Sequence, residues 1–305
     1  MQLDQPHRHH RQIGHQRTVA ERVVHRAHHH LQLPVGAAVY VQQCVPGGLA
    51  PRPGVVERLN AGFHAAGCGR GTWFMNGNAV AADGSVWHCE HGRRCISRSA
   101  PDLRGEPEPI VTHYLGRRLN SPNDIAVAPD GAIWFTDPIF GIIMPSQGAL
   151  ADPELDHRSV YRFDPTLGSL DRIADFEQPN GVAVSPDGRS LYVSDTSLSL
   201  GEVPGFSAGA KHEVQRFHLG PDGKWSNGER FCRTDHGYPD GFAVDARGWV
   251  WVSAGDGVHI WSGARERLGY IPIDATVSNL CFGGCDGRRL FIAAGARLFA
   301  IDLKA

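Results

Sequence analysis

Five side chains that can offer a hard oxygen recur in one register. Asn76, Asn123, Asn180, Asp240 and Asn279 each stand eight residues before a glycine, at 84, 131, 188, 248 and 287. Amide and carboxylate oxygens suit Ca2+ or another hard divalent cation and not a soft metal. Asp at one position and Asn at the others would bring limited negative charge and leave coordination positions for water and a substrate. Asn-Asp, Asn-Gly and Asp-Gly are also strong turn formers, because these residues tolerate unusual backbone angles. Turn chemistry alone would accept either residue anywhere, so the shared offset favours a common site.

The turn glycines lie 47, 57, 60 and 39 residues apart, which marks an internal repeat. After each Asn or Asp comes a short run rich in Val, Ile, Ala and Phe. A turn such as "PDG" follows, then a second run such as "AIWFTD" or "SLYVSD". Two such runs around an Asp-Gly turn predict a β-hairpin. Further strand-like runs fall at 159–165, 212–219 and 257–262, and no long stretch carries apolar residues at helical spacing. Roughly four strands per 40–60 residues are the blades of a β-propeller. The fold expected is therefore all-β, and 305 residues have room for six blades. Each blade's innermost strand lines the central channel, so the five side chains should converge on one mouth. Asp124 shares that mouth and, with Asn76, could meet substrate hydroxyls.

A net charge of −2 gives no electrostatic footprint for nucleic acid, and no run of 18 apolar residues suggests a membrane span. The seven cysteines are odd in number and lack zinc-type CxxC pairs, so small buried thiols in a reducing cytoplasm are expected. Residues 1–75 differ in composition. They hold eight Arg, no Lys and nine of the seventeen His, against three acidic residues, a net +5 that leaves −7 for 76–305. The tract "HRHHRQIGHQRTVAERVVHRAHHH" reads as a metal-binding His segment, a basic arm, or, given 27 Arg against 3 Lys overall, translation out of frame. "VGAAVYV" is too short and too late for a persuasive signal peptide. The domain reading is an atypical segment 1–72, a degenerate or missing first blade, followed by a propeller over 73–305.

The runs "RLNSPNDIAVAPDGAIWFTDPIFGI", "CEHGRR", "QPNGVAVSPDGRSLYVSDT", "YPDGFAVDARGWVWVSAGDGVHIW" and "NLCFGGCDGRRLFIAAG" resemble the gluconolactonase and regucalcin family from about residue 73 to the C-terminus. The resemblance implies a six-bladed propeller and a metal-dependent lactone hydrolase. It implies one divalent cation, Ca2+ first and Zn2+, Mg2+ or Mn2+ after it, held by Asn123, Asn180 and Asp240. The family's fourth ligand is a Glu of an "EGPxW"-like motif, which this sequence lacks. Glu21 is the only carboxylate in the expected interval, and no turn glycine follows it. Asp240 would serve as ligand and as base for the attacking water. His91, in "CEHG", matches a water-activating His of related propeller lactonases and could equally be a loop residue. A catalytically impaired or non-enzymatic cation-binding propeller is the alternative. "GFSAG" at 205–209 matches a serine-hydrolase elbow, but it lies in a Gly/Pro-rich stretch leading to a strand, not a helix. "GCGRG" at 67–71 has no βαβ setting for a phosphate loop.

Overall fold

The computed structural model describes residues 73–200, 211–284, 286–295 and 297–304, together with the backbone of one earlier strand, β1 (Val24–Gln32). Four sheets each contain four antiparallel strands in chain order. They are β2–β5 (Met75–Val80, Val86–Glu90, Cys95–Ser99, Glu108–Val111), β8–β11 (Ile125–Val127, Ile133–Asp137, Ser159–Asp164, Ser169–Asp175), β12–β15 (Pro179–Val184, Ser190–Asp195, Glu213–His218, Glu229–Arg233) and β16–β19 (Phe242–Val244, Val250–Ala254, Gly257–Trp261, Arg267–Pro272). A small hairpin, β6 (His113–Tyr114) and β7 (Arg117–Arg118), links the first sheet to the second. The fifth sheet is β20–β22 (Val277–Gly283, Arg289–Ala294, Arg297–Leu303).

Six blades were expected, and the described residues build five. Strand β1 does not begin a blade of its own. It pairs antiparallel with β22, from Val24 against Leu303 to Gln32 against Arg297, as the outermost strand of the last sheet. The edge of β22 thereby gains a hydrogen-bonding partner from the other end of the chain. The expected degenerate first blade falls on residues outside the described set, apart from this strand.

The repeat turns form as the sequence predicts. Gly84, Gly131, Gly188, Gly248 and Gly287 all have positive φ, between 68° and 84°. A nearby carboxylate closes each turn. Asp83, Asp130, Asp187 and Asp286 each accept the N–H two residues on, and Asp245 accepts those of Arg247 and Trp249. The second strand of each of the first four sheets, β3, β9, β13 and β17, is buried almost along its whole length. Its two faces pack against different neighbours, so the apolar core divides into seams between consecutive sheets. Trp87 and Ile96 meet Phe135 and Tyr161; Trp134 and Val160 meet Val182 and Leu191. Tyr192 and Val214 meet Phe242 and Val252; Trp251 and Val258 meet Leu280 and Ile292. The inner strands β2, β8, β12, β16 and β20 follow one another in that order around the centre.

These inner strands approach very closely. A Cβ on Gly77 would come within 2.6 Å of Asp124 Cα, one on Gly181 within 2.2 Å of the Asp240 carbonyl oxygen, and one on Gly241 within 2.2 Å of Asn279 Cγ. Each glycine directly follows a repeat Asn or Asp, so only hydrogen fits where one blade's start meets the next. Gly181→Ala should cost about 1–3 kcal/mol, because backbone must move. Gly131→Ala, a turn glycine with open space around it, should cost about 1 kcal/mol from its positive φ alone. Urea denaturation of both variants checks the order.

Candidate metal and catalytic site

Each repeat side chain sits at or just before the start of an inner strand, and a bond crosses each seam at that level. The N–H of Gly77 donates to the Asn123 carbonyl at 2.7 Å, and that of Gly241 to the Ser278 carbonyl at 2.8 Å. In the two seams between, a hydroxyl makes the crossing. Thr136 Oγ1 donates to the Asn180 carbonyl at 2.5 Å, and Ser194 Oγ to the Asp240 carbonyl at 3.0 Å. Neighbouring blades are thus tied together where their polar side chains begin.

The structure brings Asn180, Asp240, Asp124 and Asn279 together. The Asn180 side chain hydrogen-bonds the Asp240 carboxylate and donates from Nδ2 to Thr196 Oγ1 at 3.2 Å. Burial, then the nearby charge of Asp124, push the Asp240 pKa up to about 7, with the Asn180 bond acting against them. Asp124 is raised to about 6, chiefly by burial, although its carboxylate accepts the N–H groups of Ile125 and Val182 and a bond from Asn279. Asn279 Oδ1 also accepts the N–H of Leu280, so this residue both shapes its strand start and reaches Asp124. Among the described residues neither Asp124 nor Asp240 has a cationic side chain within ion-pair distance. A buried carboxylate beside a half-buried one, without a positive partner, is costly unless protons or a bound cation neutralise the pair. The donor set of carboxylate and amide oxygens fits a hard divalent cation.

His91 follows β3 and is 1% exposed. Its Nδ1–H donates to the Gln147 carbonyl at 3.0 Å, while Nε2 faces the side-chain amides of Asn76 at 3.3 Å and Asn123 at 3.4 Å. Burial lowers its pKa to about 4, so the ring is neutral at pH 7 with its lone pair on Nε2. Gln147 belongs to the long β9–β10 connection, which opens with a short helix, α1 (Phe140–Ile143). That connection lies directly on the imidazole: a Cβ on Gly141 would come within 2.6 Å of His91 Cβ. Asn76 is exposed, whereas Asn123, Asp124 and Asn180 are at most 9% exposed.

Two further carboxylates hold the strand starts. Asp137 accepts the N–H groups of Asn120 and Ser121, both at 2.8 Å, just upstream of Asn123. Asp195 accepts those of Glu177 and Gln178, at 3.2 and 3.4 Å, at the same offset from Asn180. Both are fully buried. The signal was the aspartate closing "AIWFTD" and "SLYVSD". In the first sheet the matching Glu90 is bound by Arg93 and Ser97, and in the fourth the position is Ala254. Glu21, Ser207 of "GFSAG" and the 67–71 glycine run lie outside the described residues. Cys89, Cys95 and Cys232 are buried free thiols, and Cys281 is half-buried. No described helix is long and apolar enough to cross a membrane.

Fold and site define a β-propeller whose successive blades bring carboxylate and amide side chains together. The chain belongs to the SMP-30/Gluconolactonase/LRE-like family, whose characteristic region matches residues 75–296. It is 47% identical to a solved gluconolactonase of Xanthomonas campestris, with a TM-score of 0.69 over 76% of this chain and 73% of that one. It is 34% identical to the gluconolactonase of Zymomonas mobilis over 75% of this chain and 63% of the relative. Xenopus laevis regucalcin matches at 29% identity over 50% of this chain and 46% of its own length. The chain therefore spans less than two thirds of either of these last two relatives.

The geometry at His91 has a direct spectroscopic readout. Long-range 1H–15N correlation at pH 7 should show the neutral Nδ1–H tautomer, with no imidazolium forming until the pH approaches about 4. A ring that protonates near pH 6.5 would contradict the buried, amide-facing placement.

Proposed function

We propose that the chain is a divalent-cation-dependent hydrolase of a lactone, acting through the centre built by its inner strands. The observation that carries this reading is the pair Asp124, buried, and Asp240, half-buried, which sit among amides without a cationic partner in the described residues. Family membership supports it, as do the two gluconolactonases that the chain resembles.

Asn123, Asn180 and Asp240 would hold the cation, with Ca2+ the first candidate for an all-oxygen set. Bound there, it would polarise the lactone carbonyl and stabilise the negative charge that develops when water attacks. Asp240, half-buried and with its pKa raised to about 7, can take the proton from that water once ionised. His91 offers the Nε2 lone pair as a second acceptor, kept in that tautomer by the Gln147 carbonyl. Asn76, the most open of these side chains, is available to a substrate hydroxyl. Asp124 has its carboxylate engaged by Val182 and Asn279, so its part is mainly to add negative charge beside Asp240. The single carboxylate among the three proposed ligands favours a second reading, a propeller that binds the cation without turnover.

Glucono-lactone hydrolysis, followed by acid release, separates these readings. Activity lost to a chelator and restored by Ca2+, Zn2+, Mg2+ or Mn2+ supports the hydrolase. Thermal stabilisation by the ion without acid release supports the binding protein. Asp240→Asn keeps an oxygen and the side-chain size, and should weaken ion binding by on the order of tenfold or more with little change in unfolding temperature. Equal ion affinity in wild type and variant would remove Asp240 from the ligand set.

A further inference from the structure

Among the described residues the hydroxyl crossings occur only in the two seams that lead into Asn180 and Asp240. Thr136 and Ser194 occupy matching positions near the end of β9 and β13, and both are fully buried. Thr136 Oγ1 accepts the N–H of Asp124 at 3.1 Å and donates to the Asn180 carbonyl at 2.5 Å. Ser194 Oγ accepts the N–H of Gly181 at 2.7 Å and donates to the Asp240 carbonyl at 3.0 Å. In each case one hydroxyl accepts a hydrogen bond from the start of its own blade and donates one to the start of the next. The matching residue of the first sheet is Cys89, and there the Gly77 N–H crosses the seam directly.

Asp240 shows what this arrangement achieves. It precedes β16, so its main chain lies outside the strand ladder. Its N–H is held by Ser253 Oγ at 2.8 Å and its carbonyl by Ser194 Oγ. Both main-chain polar atoms are thus held by serine hydroxyls from two different blades. Losing the Ser194 hydroxyl leaves the Asp240 carbonyl and the Gly181 N–H without that partner and frees the backbone that aims the carboxylate.

We propose that Thr136 and Ser194 are positioning residues: their bridging hydroxyls set the backbone of Asn180 and Asp240, and so place these two side chains at the centre. As far as it concerns cation binding, this rests on the function proposed above.

The test compares Ser194→Ala and Thr136→Val with the conservative Ser194→Thr and Thr136→Ser. Ser185→Ala is the control, because Ser185 is a buried hydroxyl at the opposite end of the same hairpin and bonds only within its own turn. Amide exchange needs no ion: at Gly181 it should be about tenfold faster in Ser194→Ala and near wild type in Ser194→Thr and Ser185→Ala. Calorimetric titration with Ca2+ or Zn2+ should show about tenfold weaker binding in Ser194→Ala and Thr136→Val, restored in the conservative variants and unchanged in Ser185→Ala. Wild-type exchange at Gly181 in Ser194→Ala, or equal loss of affinity in Ser185→Ala, would overturn the proposal. A wild-type protein that binds no divalent ion would refute the hydrolase reading instead, and the exchange measurement would still decide whether the hydroxyl holds the strand start.

Discussion

The closeness of the inner strands governs this molecule. Where one blade begins, the next lies so near that Gly77, Gly181 and Gly241 admit no side chain. Each glycine directly follows a residue with a polar side chain, and the two facts are connected. Strand starts packed this tightly must place the preceding side chains within reach of one another. The same closeness lets an N–H or a hydroxyl cross each seam to a carbonyl, so the polar centre is tied by bonds that the strand ladders do not supply.

The electrostatics of the centre follow from burial. Asp124 and Asp240 lie in a region that raises both carboxyls, and the charge of Asp124 further opposes ionisation of Asp240. The amides around them can satisfy hydrogen bonds without cancelling charge. His91 stays neutral for the same reason, since desolvation disfavours its cationic form and outweighs the opposing bond to the Gln147 carbonyl, which fixes the tautomer. A protein that sought only stability would do better with apolar residues here. Under the function proposed above, a bound cation would offset that cost.

The second strands do the mechanical work. They are buried on both faces, carry the largest core side chains, and end in the residues that hold the site. Trp134 and Phe135 lock β9 between its neighbours, and the next two residues are Thr136, which bridges to Asn180, and Asp137, which grips the loop before Asn123. Tyr192, Val193, Ser194 and Asp195 repeat the pattern in β13. Rigid packing is thereby passed to the polar centre through a hydroxyl and a carboxylate.

Much of this was readable in the sequence because it is local and repeated. The offset of eight residues between Asn or Asp and glycine follows from strand and turn lengths, and the positive φ of the turn glycines follows from the "DG" chemistry. Tertiary structure alone decided the rest, because each remaining feature depends on which chains meet. The neutral tautomer of His91 comes from a carbonyl 56 residues away in the sequence. The repeat puts Asn279 at the common mouth, but its bond to Asp124 depends on how the sheets meet, and Thr136 and Ser194 read as ordinary strand residues until a neighbouring blade supplies their acceptors. Strand β1 shows the same limit: its His- and Arg-rich text carries no repeat turn, and only the open edge of β22 makes it the last strand of the fifth sheet.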